Sequence, residues 1–356
     1  MPILDKVFKT AVENNASDVH VVPREPFILR RFGKIIKLKN KPISAQNARQ
    51  IIHEVLTDEQ KKVLQANQQL DFGYEIQGLG RFRGSIMAHN NGLSAIFRVI
   101  PPDIPDITKL GLPDIVSKVL DNHQGLILVT GATGHGKSTT LAAMIDYINT
   151  NKALHILTVE DPIEFVHPLK KGVVNQRQLG INTLSNANAL RGALREDPDV
   201  IMIGELRDLE TISLAISAAE TGHLVLGTLA TSSAPKTIDR IIDAFPPDEQ
   251  SQIRAMLSES LKAVITQRLI PEADEKGMVL AIETLIGTLP VANLIKDAKT
   301  FQIPSIMQTG KAVGMQIMDE SIMDLLQEKK ITAKVAYASA NDNRRFKSLL
   351  DKENSE

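Results

Sequence analysis

The chain has 356 residues, 43% of them hydrophobic, and its 41 basic and 42 acidic residues leave a formal net charge of −1. That length suits one small and one larger domain with a real apolar core, and the balanced charge gives no general attraction for nucleic acid. The absence of cysteine excludes disulfides, iron–sulfur clusters and thiolate zinc sites; no apolar run reaches the roughly 18 residues of a membrane span, and the N-terminus lacks a signal-peptide layout.

The stretch to Val99 reads as mixed α and β. Leu4, Val7, Phe8, Ala11 and Val12 have helical spacing that ends near Asn14-Asn15. Residues 18–22 read as a strand, and 27–31 with 34–38 as a hairpin around Phe32-Gly33. Residues 44–56 read as a helix with Ser44 as its N-cap. Residues 81–87 and 93–99 are two more strands around Asn90-Asn91-Gly92. Pro101, Pro102 and Pro105 then fix φ and remove backbone donors, so 100–112 is expected to link a domain 1–99 to a domain 113–356; an ordinary surface loop is the alternative. Beyond Leu112, the apolar runs 125–130, 155–160, 200–203 and 224–229 alternate with helical segments such as 138–149 and 187–195. That pattern predicts an α/β domain with a mostly parallel sheet. From Asp248 onward the chain reads as mainly helical, with a charged, frayed tail after Asn341.

Gly131-Ala132-Thr133-Gly134-His135-Gly136-Lys137-Ser138 matches the phosphate-binding pattern G-x-x-x-x-G-K-[ST], with a buried strand before it and a helix after it. Glycines permit backbone angles and close approach that a side chain would block. Their N–H groups and the positive end of the helix bind phosphate oxygens, Lys137 adds a full charge, and the Ser138 hydroxyl can ligate Mg²⁺. The expected nucleotide contacts are therefore Gly131, Thr133, Gly134, His135, Gly136, Lys137, Ser138 and Thr139, with His135 facing solvent. Glu160-Asp161-Pro162-Ile163-Glu164 crowds carboxylates at the end of a strand, the edge where parallel sheets bind ligands; a solvated turn is the alternative. Residues 200–205 form an apolar strand ending in Glu205, in the manner of a Walker B motif, to hold Mg²⁺ directly or through water. Arg81, Arg83 and Arg98 suit charge stabilisation in phosphoryl transfer, although without further information surface salt bridging is the better reading. Met315, Met318 and Met323 read as helix core, or else as an adaptable partner surface.

Taken together these motifs resemble the PilT family of type IV pilus retraction ATPases within the secretion ATPase superfamily. The resemblance runs through Ser17-Asp18-Val19-His20, Gly80-Arg81-Phe82-Arg83, Phe97-Arg98-Val99-Ile100-Pro101, the P-loop, Thr158 to Phe165, Val174-Asn175-Gln176-Arg177, Arg195 to Asp208, and Ala219-Glu220-Thr221-Gly222-His223. It implies a smaller α+β, PAS-like N-terminal domain and a RecA-like P-loop ATPase domain, assembled as a homo-hexamer with nucleotide between domains and subunits. ATP and Mg²⁺ are the implied cofactors. Glu164 would polarise the attacking water, Glu205 would position Mg²⁺, Arg81, Arg83 and Arg98 would be arginine fingers, and His223 would lie near the γ-phosphate. The implied setting is the bacterial cytoplasm, with attachment at the inner membrane through a pilus platform protein, and a sister retraction ATPase is a further partner to consider. No nucleic-acid partner is expected.

Two departures from the family pattern bear on this. The second histidine of its His box is here Ala230, in Thr228-Leu229-Ala230-Thr231-Ser232; a methyl group can neither hydrogen-bond nor carry charge. The segment linked to retraction reads Pro290 to Asp297, keeping Asn293-Leu294-Ile295 but losing an arginine. Three other readings are weighed. An assembly or secretion ATPase would typically carry a four-cysteine zinc motif, a nucleic-acid translocase would want basic tracks, and an ATP-binding regulatory subunit with slow hydrolysis is favoured only by Ala230.

Overall fold

The computed structural model describes residues 2–353 and divides into two compact units, one of Met1–Asp103 with Pro162–Val166 and one of Ile104–Asp161 with His167–Glu356. The proline-rich stretch carries no regular element until Ile115–Val119, and Ile107 and Leu112 are already buried in the core of the second unit.

The first unit is one antiparallel sheet with helices against it. Its strands are β1 (Asp18–Val21), β2 (Ile28–Arg31), β3 (Lys34–Lys37), β4 (Gln69–Ile76), β5 (Gly80–His89) and β6 (Gly92–Ile100), in the order β3-β2-β1-β6-β5-β4. Helix Ile3–Glu13 turns Leu4, Val7, Phe8 and Ala11 into the core, where Phe8 stacks on Phe82 at 4.2 Å between ring centroids and meets Phe97 edge-on at 4.9 Å. Gly84 leaves room for the rings of Phe72 and Phe97; a Cβ there would lie 2.5 Å from Phe72. Ser44 caps helix Ala45–His53 by accepting from the Asn47 N–H, as its position predicts. A further helix, Asp58–Asn67, starts in a Thr57/Gln60 capping box.

The second unit is wound on both faces of a seven-stranded sheet. Its strands are β7 (Gly125–Thr130), β8 (His155–Glu160), β9 (Val173–Gln178), β10 (Val200–Ile203), β11 (Leu224–Leu229), β12 (Leu261–Pro271) and β13 (Met278–Ile286), ordered β13-β12-β7-β11-β10-β8-β9. All pairs are parallel except β12 with β13. Alternation along β7 divides the apolar content between two cores. Leu126 and Leu128 pack with Ala189, Ile212, Ile216, Ile238 and Leu257 on one side, while Ile127 and Val129 pack with Leu141, Met144, Ile145 and Ile148 on the other.

The hairpin β12–β13 corrects the expectation of a mainly helical chain after Asp248. Val264-Ile265-Thr266 is a β-branched run, and such residues pack well on a pleated surface. The tail is likewise not frayed within the described residues. Helices Met318–Gln327, Ala333–Ser339 and Arg344–Glu353 cover the far half of the hairpin, and Phe346 is fully buried among them. Both Asp319 carboxylate oxygens accept backbone N–H groups, from Asn341 and Asp342. Residues 354–356 of that tail lie outside the described residues. Met315 is buried in the core of the sheet and Met318 in the Phe346 cluster, against which Met323 packs, so the methionines are core.

Candidate active site

Parallel strands bring their C-terminal ends to one edge, and the second unit gathers its candidate groups there. β7 runs into the P-loop, whose Gly131, Gly134 and Gly136 have φ of +141°, +83° and +80°, a region that favours glycine. A Cβ at Gly131 would stand 2.5 Å from the Gln267 carbonyl oxygen of neighbouring β12. Helix Lys137–Asn151 starts at Gly136 with no side-chain cap. The first-turn N–H groups are thus left for an anion. Lys137 Nζ donates to its own loop, at 2.9 Å to Gly131 O and 3.1 Å to Ala132 O. Burial lowers its pKa and Glu205 opposes that shift. Thr133, Gly134 and Ser138 are exposed, and His135, Gly136, Lys137 and Thr139 are half-buried. This cradle fits phosphate oxygens in backbone geometry, dipole and charge.

His135 does not face solvent as expected. Its Nδ1 accepts the Leu269 N–H at 2.8 Å, tying the crown of the loop to β12. Nδ1 is therefore unprotonated in this arrangement, in keeping with a pKa lowered by burial, Arg268 and Lys137. Behind the loop, buried Gln267 donates to Thr140 Oγ1 at 2.8 Å, which couples β12 to the first turn of the helix.

β10 ends at Gly204-Glu205 on the same edge. Thr228 Oγ1 donates to Gly204 O at 2.5 Å, pinning that turn to β11. Glu205 Oε2 takes a forked contact from Arg207, 2.9 Å from Nε and 2.7 Å from Nη2. Sequence reasoning did not single out Arg207; the signal was its place two residues beyond the Walker B acid. Ser138 and Glu205 supply hard oxygen donors of the kind Mg²⁺ takes.

The crowded acidic segment separates by partner. Glu160 is held inside the second unit, where its Oε1 accepts from Thr158 Oγ1 at 2.7 Å and from Gln176 Nε2 at 3.0 Å. Asp161 is exposed. Glu164 belongs to the first unit and is largely buried, with its Oε1 3.0 Å from Arg83 Nη1.

Arg81 and Arg83 alternate on β5, and Arg98 of β6 stands directly opposite Arg83. All three therefore share one face of the sheet. Like charges paired across strands repel, and each arginine has an acidic partner: Glu75 at 2.6 Å from Arg81, Glu164 beside Arg83, and Asp18 at 3.3 Å from Arg98. Arg81 Nη2 also donates to Ile163 O at 3.2 Å.

His223 stands apart from these groups within its own chain. It precedes β11 at the opposite edge, where its carbonyl accepts the Gly125 N–H at 3.0 Å and its Nδ1–H donates to Ala218 O at 3.1 Å. Since Leu224 pairs with Gly125 and Leu229 with Thr130, the length of the strand, about 20 Å, separates it from the P-loop of its own chain. The residue of the His box that reaches the P-loop edge is Ala230, which is exposed.

A family model described as "Type II/IV secretion system protein" matches residues 1–346. A Neisseria gonorrhoeae protein named "Twitching motility protein" is 46% identical over 341 residues, 96% of this chain and 91% of that one. Pseudomonas aeruginosa "Type IV pilus retractation ATPase PilT" is 46% identical over 330 residues, covering 93% and 96%. The chain belongs to the PilT family of secretion ATPases. Its fold is similar to a solved structure titled "Crystal Structure of the Pilus Retraction Motor PilT and Bound ADP", with a TM-score of 0.86, 44% identity and coverage of 97% of this chain and 98% of that one. The PilT-family chain thus has the RecA-like α/β fold of a P-loop ATPase, and no helix among the described residues is long and apolar enough to cross a membrane.

Proposed function

We infer that this PilT-family chain hydrolyses ATP as a hexameric motor and drives type IV pilus retraction by nucleotide-dependent domain rotation. The observation that carries the reading is the intact cradle: open helix N–H groups, Lys137 and the Walker B carboxylate on one sheet edge. Lys137 leaves its resting bonds to Gly131 and Ala132 for phosphate oxygens, a trade of neutral acceptors for charged ones. Mg²⁺, which Ser138 and Glu205 would hold, supplies Lewis-acid neutralisation of phosphate charge. Glu164 orients and polarises the attacking water, while Arg83 fixes the position of its carboxylate. Arg81 and Arg98 are the further candidates for stabilising charge in phosphoryl transfer. Work at the inner membrane passes through a platform protein, with a sister ATPase as an additional partner.

A second reading rests on Ala230. With a methyl group at the P-loop edge in place of an imidazole, γ-phosphate sensing is weakened, and the chain acts as an ATP-binding regulatory paralogue with a partner ATPase. Steady-state hydrolysis by the purified, sized oligomer decides between them. Turnover abolished by both Lys137→Ala and Glu164→Ala supports the motor. ATP binding with no turnover above the Lys137→Ala control supports the paralogue, and Ala230→His should then restore hydrolysis.

A further inference from the structure

The P-loop rests on β12, and β12 is tied to the end of the chain. Thr130 donates to Thr266 at 2.9 Å where β7 ends, and β12 runs on past that pair. Successive side chains of a strand point to opposite faces. Gln267 turns to helix Lys137–Asn151, where it meets Thr140, and the Leu269 N–H donates to His135 in the crown of the loop. Arg268, between them, points the other way. Its Nη1 donates to Ser339 O, at the C-terminal end of helix Ala333–Ser339, and its Nη2 to Asn341 Oδ1 at 3.0 Å. Asn341 is held in turn by its own N–H, which donates to buried Asp319 at 2.7 Å, and the Asp342 N–H donates to the same carboxylate at 2.9 Å.

We propose that Arg268 is a positioning residue: by anchoring β12 on the turn after helix Ala333–Ser339, it holds the Leu269 N–H on His135 and keeps the P-loop in its nucleotide-accepting shape. A contact that only fastened the C-terminal helices would need no particular residue of the hairpin. This one starts from the residue whose carbonyl shares a planar peptide unit with the Leu269 N–H, so fixing Arg268 fixes the direction in which that N–H points. The guanidinium fork suits the task, since it spans a backbone carbonyl and a side-chain amide at once. Arg268 thus acts through the Leu269–His135 bond and not on the phosphates. Coupling of this kind is reciprocal, so a nucleotide that tightens the loop also tightens the turn at Asn341 and Asp342. The inference rests on nucleotide binding at the P-loop and not on hydrolysis, a hexamer or retraction, so it stands or falls apart from the motor reading.

The test is the affinity of the full-length protein for ADP with Mg²⁺, by titration calorimetry at about pH 8, where an imidazole is neutral whether or not an arginine stands near it. Thermal melting follows the fold of each variant. Arg268→Met removes both donors and keeps a long side chain; Asn341→Ala removes one acceptor and leaves the strand untouched. Arg268→Met should weaken ADP binding about tenfold and Asn341→Ala about threefold. In a His135→Ala chain, where the link is already cut, adding Arg268→Met should change the affinity by less than about twofold. Hydrogen exchange reads the coupling from the other end. Saturating ADP should slow exchange at the Asn341 and Asp342 amides of the wild type and leave it unchanged in Arg268→Met. A lowered Tm with unchanged ADP affinity in both single variants would make Arg268 a structural fastening only and overturn the proposal. Equal losses from Arg268→Met with and without His135, or exchange at Asn341 and Asp342 that ADP does not alter, would overturn it as well.

Discussion

Gly131 tests whether the P-loop is shaped by its contact with β12. In Gly131→Ala the new Cβ meets the Gln267 carbonyl oxygen at 2.5 Å while φ stays at +141°. Holding a side chain at such a φ costs about 1–3 kcal/mol, and relieving the overlap about 1–3 kcal/mol more. The loop cannot simply slide, because Gln267 is buried and bonded to Thr140 in the helix that the loop feeds. Gly134→Ala is the internal control, with a φ of +83° and nothing within 4 Å of the added Cβ. It carries the backbone cost alone. At about 2–4 °C per kcal/mol for a unit of this size, Gly131→Ala should lower Tm by about 4–24 °C and Gly134→Ala by about half as much. Binding of a fluorescent ADP analogue should weaken about tenfold or more in Gly131→Ala, because the displaced loop loses its aligned N–H donors. Equal losses of Tm in the two variants, or unchanged nucleotide affinity in Gly131→Ala, would refute the steric account.

His135→Ala strips the Leu269 N–H of its acceptor, so it should destabilise by about 1–2 kcal/mol in a thermal melt; His135→Asn, with an acceptor near the position of Nδ1, should lose less. His167 is buried and its pKa falls from 6.5 to about 4, chiefly through burial, with Asp146 opposing and Lys170 adding. The unfolded chain therefore takes up this proton first on acidification. The contribution of about 3 kcal/mol is full above pH 6.5 and drains between there and pH 4, and His167→Phe should flatten that part of the pH–stability profile measured by chemical denaturation. In Gly84→Ala the Cβ would lie 2.5 Å from Phe72 and 2.9 Å from Phe97, a cost of about 1–3 kcal/mol; Phe72→Leu in the same chain should recover part of it, and a melt with no loss for the single variant would show that the ring shifts freely.

Periodicity made the central α/β pattern legible, because buried parallel strands such as 125–130 and 224–229 are continuous apolar runs between helices. Other strands were readable and are easily passed over. Leu70, Phe72, Tyr74 and Ile76 alternate cleanly in β4, and Val264-Ile265-Thr266 marks β12 between helical stretches. β9 is different. Its Val-Val-Asn-Gln-Arg-Gln carries no periodic signal, since it is an edge strand whose side chains are exposed or half-buried; pairing with β8 makes it a strand.

The site divides along the same line. A motif states residue types at fixed spacing, so the P-loop and the Walker B acid lie where the chain pattern puts them. What it cannot state is which partner a side chain finds across the fold. Glu160, Asp161 and Glu164 are equivalent in composition, and only tertiary partners separate them: one bonded to Thr158 and Gln176, one in solvent, one held by Arg83. For the two positions of the His box the deciding fact is strand direction. β11 runs parallel to β7, so a residue before it lies at the edge away from the P-loop and a residue after it lies at the P-loop edge. That places His223 away from the P-loop of its own chain and puts the substituted position, Ala230, at the P-loop edge. The departure from the family pattern therefore falls on the member of the pair that stands at the P-loop edge of its own chain.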